Sequence, residues 1–168
     1  LGFGTGRNFT TADRSNTDQQ TLYSVLDKTQ YTVNTATNLV VPVASTADTQ
    51  NIAESEGRTL LIEQEVVSRV GSTDYYNTSE NEVDYGLGQR GWYFDLPEPR
   101  ERVLVAPQIF QGQKVLLVST LPKTGTSGES CEFVAGADDN WVNVLNMFSG
   151  KPSKDPVWPA ADNSRDKA

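Results

Sequence analysis

The stretch Gly88–Thr120, GQRGWYFDLPEPRERVLVAPQIFQGQKVLLVST, contains three stiff apolar runs in succession and no catalytic constellation. In the first run Trp92, Phe94 and Leu96 alternate with Tyr93 and Asp95, the period of a strand with one buried face, until Pro97 and Pro99 stop the ladder. The second, Arg102–Ala106, and the third, Lys114–Thr120, are continuous β-branched and apolar runs. They read as an antiparallel pair buried on both faces and joined through Gln111-Gly112-Gln113, a short glycine-containing hairpin loop.

Working outward, the chain continues in strands and turns. Leu1–Gly6 is a glycine-punctuated run, followed by a polar turn with Asp13, Asn16 and Asp18 and an alternating strand, Thr21–Leu26, which Asp27 ends. Thr29–Gly57 is rich in Thr, Asn, Ala and Gln and reads as a long surface excursion. Its one apolar run, Leu39–Val43, is demoted by Pro42 to an edge or extended segment. Arg58–Val70 reads as strand, with an amphipathic helix as the alternative because Glu63-Gln64-Glu65 are good helix formers. Gly71–Gly86 is turn-rich and aromatic, a hairpin return toward Trp92. A Gly/Ser/Thr loop spans Pro122–Asp139, and Trp141–Phe148 forms a further strand closed by Gly150. Lys151–Ala168 reads as a tail, or as the start of a truncated next blade.

Short strands with almost no helix predict an all-β fold, and their spacing favours a propeller over a sandwich. A propeller blade takes roughly 40 to 50 residues. The 168 residues then hold about two four-stranded antiparallel blades with long insertions over residues 1–150, a partial β-propeller.

Composition bounds the function. The net charge is −8 with no Lys/Arg cluster, which argues against nucleic acid as a partner. No apolar run approaches the roughly 18 residues needed to span a bilayer. The chain opens on Leu1 with no initiator Met and reads as a piece of something longer. The absence of histidine removes the commonest general base and metal ligand together with the Ser-His and Cys-His pairs. Cys131 has no internal cysteine partner and reads as structural, or as half of a bridge to a missing partner, rather than as a nucleophile.

Three segments in order, FGTGRNFTTAD…QQTLYSVLD (Phe3–Asp27), RGWYFDLPEPRERVLVAPQIFQGQKVLLVSTLP (Arg90–Pro122) and SCEFVAG…NWVNVLNMFSG (Ser130–Gly150), resemble the C-terminal β-propeller of the PilC/PilY type IV pilus biogenesis and tip-adhesin proteins. The resemblance implies that Phe3–Arg7 ends one blade strand and Leu22–Asp27 forms the next. It also implies that Gly91–Leu96 closes a blade and that Arg102–Phe148 supplies three strands of its successor. It implies an extracellular, non-enzymatic protein at the pilus tip or bacterial cell surface, supporting pilus assembly and surface attachment. Its partners would be pilin or minor pilin subunits, a host or abiotic surface, and the remaining propeller segment or a companion chain. Calcium, implied by the family, would be held upstream of the Phe3–Arg7 element. No cofactor is expected within these residues, because Ala137–Asn140 and Ser72–Asp74 lack the alternating oxygen ligands and the turn glycine of such a loop. The sequence departs from the family in an enlarged Thr29–Gly57 insertion and a less glycine-rich loop around Cys131. The alternative is a quinone-cofactor dehydrogenase propeller, expected to carry cofactor ligands and often paired cysteines. A glycan-cleaving pair of carboxylates is a third reading.

No catalytic, cofactor or metal residue is assigned. Trp92 and Trp141 read as core filling and Trp158 as undecided between core and surface. Asp27 and Asp95 read as structural carboxylates at strand ends rather than as an acid–base pair. Gly4 and Gly6 fall short of an anion cradle because no third glycine or helix follows. The sequons at Asn8 and Asn77 carry little weight. Binding is expected on loops, with Thr29–Gly57 the first candidate.

Overall fold

A computed structural model describes residues 1–44, 57–70, 75–110, 114–122, 139–153 and 165–167. Cys131, Trp158, the Ser72–Asp74 turn, Asp138 and the Gln111–Gln113 loop lie outside the described residues. Among the described residues the fold is all-β, organised around two larger sheets and a separate two-stranded one, with one short helix, α1 (Thr11–Ser15), and a 3-10 turn at Gly57–Leu60.

The first sheet contains β1 (Gly2–Gly4), β2 (Thr21–Val25), β5 (Leu61–Gln64) and β8 (Gly91–Asp95), in the order β1-β2-β8-β5. Its first two pairings are antiparallel, but β5 joins β8 in parallel, so this sheet is not the purely antiparallel blade expected. Alternation sorts its faces. Leu22, Ser24, Trp92, Phe94 and Gln64 point to the core, whereas Phe3, Tyr23, Tyr93 and Glu63 stand in direct cross-strand register on the other face.

The second sheet has the order β10-β11-β12-β13-β7-β6, built from β6 (Val66–Val70), β7 (Tyr75–Thr78), β10 (Gln108–Phe110), β11 (Lys114–Leu121), β12 (Asp139–Asn146) and β13 (Arg165–Lys167). The two-residue β9 (Arg102–Val103) pairs with the far end of β11. Two expectations change here. The run Arg58–Val70 is two strands in two sheets, broken where Ser79 takes both backbone groups of Glu65. The run Arg102–Ala106 is not buried on both faces: β9 ends at Val103, Leu104 and Val105 are exposed, and the hairpin partner of β11 is β10. Within Lys151–Ala168, read as a tail or as the start of a truncated next blade, Arg165–Lys167 forms a strand between β12 and β7.

The core joins the sheets through Leu22, Trp92, Phe94, Leu96, Val103 and Leu145. Burying Trp92 alone removes roughly 200 Å² from water, worth about 5 kcal/mol before entropy is counted. Trp92 Nε1 and Ser24 Oγ both donate to the Met147 carbonyl, at 3.0 and 2.6 Å, tying the first sheet to the turn after β12. That turn is shaped by the Asn146 side chain, which accepts from the Phe148 and Ser149 amides. It ends on Gly150, whose φ of +71° is left-handed and whose absent Cβ would lie 2.5 Å from the Trp92 ring. Trp141 packs edge-on to Tyr76, with ring centroids 4.6 Å apart. Both tryptophans are core, as the alternation predicts.

Candidate functional site

The connection from β2 to β5 is the chain's longest excursion among the described elements, and its geometry starts at its roots. Val25 and Leu61 flank Gly91 on either side, so the excursion leaves and returns two strand spacings apart, about 10 Å. Arg90 fastens both roots: its N–H donates to the Leu60 carbonyl at 2.8 Å, and its carbonyl accepts from the Leu26 amide at 2.7 Å. Its buried guanidinium donates back to the Leu26 carbonyl from Nε and Nη2. The close approach needs Gly91, at φ +138°, because a Cβ there would lie 2.0 Å from the Ser24 carbonyl oxygen.

The returning root carries a second fastening. Arg58 forks onto Asp95, with Nη2 and Nη1 at 3.0 and 3.2 Å from the two carboxylate oxygens, and also donates to the Tyr23 hydroxyl and Thr21 Oγ1. Its guanidinium lies 4.5 Å over Tyr93 and 5.5 Å from the Tyr23 centroid. Phe3 stacks on Tyr23 at 5.2 Å, completing an aromatic row across β1, β2 and β8. Burial alone pulls the Arg58 guanidinium down, but Asp95 and Tyr23 more than reverse this and hold it above the ordinary arginine value. Burial, then neighbouring Glu63, push the Tyr93 phenol up. The cluster is saturated with internal partners, which makes it a clasp rather than an acid–base pair.

Between the roots stands the hairpin β3 (Tyr31–Asn34) and β4 (Leu39–Pro42), a separate two-stranded sheet. Its four-residue loop is closed by Asn34, whose Oδ1 accepts from the Ala36 and Thr37 amides and whose carbonyl accepts from Asn38, at φ +57°. Tyr31 faces Pro42 and Val33 faces Val40, so these four side chains share one face. All are exposed: Tyr31 59%, Val33 53% and Val40 69%, with Pro42 alongside. Leu39 adds a further exposed apolar group on the opposite face.

The carboxylates weighed from the sequence part company. Asp27 accepts from the Thr29 amide at 2.8 Å, and this contact with Thr29 holds its carboxyl below the usual range. Asp95 is engaged by Arg58 and Thr21 instead of by a turn amide, so the two share no chemistry. Gly4 and Gly6 sit against Val103 and Arg102, where a Cβ would come within 2.3 and 2.4 Å of those side chains. Their role is close packing of the N-terminal run on β9.

A cleft of about 370 Å³ is lined by Gly6, Arg7, Asp13, Asn16, Asp18, Gln20 and Arg102. Buried Arg102 donates to the carbonyls of Arg7, Asp13, Asn16 and Arg100. Burial raises Asp13, but hydrogen bonds from Thr10, Arg7 and Phe9 outweigh it and hold the carboxyl at about 2. Thr10 and Asp13 form a reciprocal capping box on α1, a signal (Thr-x-x-Asp) that the sequence displays within the run read as a polar turn. Both charged groups are committed to locking the loop. Among the described residues no group of three or more His, Cys, Asp or Glu stands together to hold a metal, and no helix is long and apolar enough to cross a membrane.

No protein-family model and no curated protein matches this chain. Among solved structures, the chain is similar to the Pseudomonas aeruginosa PilY1 C-terminal domain, with a TM-score of 0.58 and 22% identity over 99% of this chain. It spans 35% of that chain. The likeness establishes an all-β, partial-propeller-like fold.

Proposed function

We propose that this chain is part of a non-enzymatic type IV pilus biogenesis and tip-adhesin module, extracellular at the pilus tip or cell surface, supporting pilus assembly and attachment. The observation that carries the reading is the similarity of fold to the PilY1 C-terminal domain over 99% of the chain. The ordered motifs at Phe3–Asp27, Arg90–Pro122 and Ser130–Gly150 point the same way. The β3–β4 hairpin is the binding element in this proposal. It is an apolar, exposed hairpin on an excursion whose two roots are both bound to Arg90, the residue preceding β8, a loop on a rigid support suited to contact under tension. Pilin or minor pilin subunits and a host or abiotic surface are its partners. No cofactor is assigned to these residues.

Sedimentation of the purified chain with sheared type IV pili tests the proposal. Co-sedimentation is expected, weakened at least about tenfold by the double change Tyr31→Ser and Val40→Ser. Absence of co-sedimentation would refute it, as would dye-coupled turnover in the presence of added quinone cofactor, which belongs to the dehydrogenase alternative.

A further inference from the structure

The hairpin offers a backbone edge as well as an apolar face. The Val43 amide donates to the Gln30 carbonyl at 2.8 Å, so 30 and 43 are a hydrogen-bonded pair. Antiparallel ladders alternate, so the next such pairs inward are Thr32 with Val41 and Asn34 with Leu39. The backbone groups of Tyr31 and Val33 therefore point away from β4, and those of Val40 and Pro42 point away from β3. The two outer edges differ. Pro42 has no N–H, so the outer edge of β4 is already blunted, the usual protection of an edge strand. The outer edge of β3 keeps both N–H groups and both carbonyls, beside the exposed Tyr31 and Val33 side chains.

We propose that the outer edge of β3 binds an extended strand from a different protein by strand addition, with the Tyr31 and Val33 side chains gripping alternate side chains of that strand. This rests on the proposed function only in taking the hairpin as the binding element. Charge selects the occupant. Residues 29–47 include no Asp, Glu, Lys or Arg, while the whole chain is at −8, so a second copy brings repulsion that an uncharged or basic strand does not. The blunted β4 edge confines strand addition to the β3 side of the hairpin.

The test uses the chain in a titration with a synthetic peptide of seven alternating Val and Thr residues flanked by lysines, read by calorimetry and by amide hydrogen exchange. Saturation is expected to slow exchange of the Tyr31 and Val33 amides while those of Thr32 and Asn34, already paired, change little. Val33→Pro removes an outward N–H without touching the β3–β4 ladder and is expected to weaken binding at least about tenfold, whereas Val40→Pro, on the blunted edge, leaves it within about twofold. Protection of the Thr32 and Asn34 amides in both variants verifies that the hairpin has formed. Peptide binding that survives Val33→Pro overturns the proposal, as does loss in both variants with the hairpin intact, which would mean that the face alone binds. Tyr31 and Val33 amides protected without peptide also overturn it, because the edge is then occupied by a second copy if protection rises with concentration and by the chain itself if it does not. Failure of pilus co-sedimentation with peptide binding intact refutes the proposed function and leaves strand addition standing.

Discussion

Gln64 supplies the sharpest test of how the two sheets are joined. It is 1% exposed, and its amide meets four partners: Nε2 donates to the Asn81 and Ser149 carbonyls at 2.8 Å each, while Oε1 accepts from Ser79 Oγ at 2.6 Å and the Asn81 amide at 3.2 Å. All four hydrogen-bonding positions of the amide are used. Gln64→Met keeps the length and shape of the side chain, so the change removes hydrogen bonds without opening a cavity. Asn81 is exposed and recovers water; the Ser79 hydroxyl and Ser149 carbonyl are more enclosed and lose their partner at about 1–3 kcal/mol each. The expected loss is about 3 kcal/mol, a large share of the 5–15 kcal/mol typical of a domain. Urea unfolding followed by tryptophan fluorescence measures it. Gln64→Glu adds a pH signature. Its carboxylate would face the Asn81 and Ser149 carbonyls, so its folded pKa is raised above the ordinary glutamate value of about 4.3. The variant is then least impaired below that value and loses stability, relative to the parent, as pH rises through the folded pKa. A Met variant within about 0.5 kcal/mol of the parent, or a Glu variant more impaired at pH 5 than at pH 7, would show that this amide does not join the sheets.

Other perturbations follow from the same contacts. Gly91→Ala puts a Cβ 2.0 Å from a backbone oxygen at φ +138°, and roughly 3 kcal/mol or more is expected to be lost in thermal unfolding. Arg58→Lys cannot fork onto Asp95 or lie flat on Tyr93; because the pair is about one-third exposed, about 1–2 kcal/mol is expected from a double-mutant cycle with Asp95→Asn. Asp13, with a folded pKa of about 2 against 3.8, contributes stability fully present above pH 3.8 and lost as pH falls through 2. The Phe9 and Thr10 amides, which donate to it, are expected to exchange faster over that window, and Asp13→Asn is expected to flatten the profile.

What could be read in the sequence was whatever one buried face enforces. Trp92 and Phe94 alternate with Tyr93 and Asp95 because only one face of β8 meets the core, so strand and orientation were both legible. The hairpin strand β3 was not: every residue from Tyr31 to Asn34 is exposed, and a strand with no buried face leaves no period-two record. Arg58–Val70 hid a change of sheet because both halves are β-formers and the break is made by Ser79, fifteen residues after Gln64. Leu104 and Val105 misled for the opposite reason, being β-branched or apolar yet exposed where the chain leaves β11 ahead of Pro107. Tyr23 and Tyr93 were visible only as residues alternating off the core face and Arg58 only as the first residue of an apolar run; that they form one clasp depends on a return of the chain which no local pattern records.

The clasp and the hairpin belong to the same excursion, the one at its returning root and the other between its roots. Under the proposed function, tension on the hairpin would reach the sheet at Leu26 and Leu60, and both of these are hydrogen-bonded to the backbone of Arg90, next to the central strand β8. On the returning side the load is shared with the Arg58–Asp95 fork, itself anchored on β8 and β2. β8 is held by antiparallel β2 on one side and by parallel β5 on the other, and its Trp92 ties it to the turn after β12. Weakening Arg58 is therefore expected to loosen the returning root while leaving the hairpin's own ladder intact, which separates positioning of the proposed binding element from the stability of the hairpin itself.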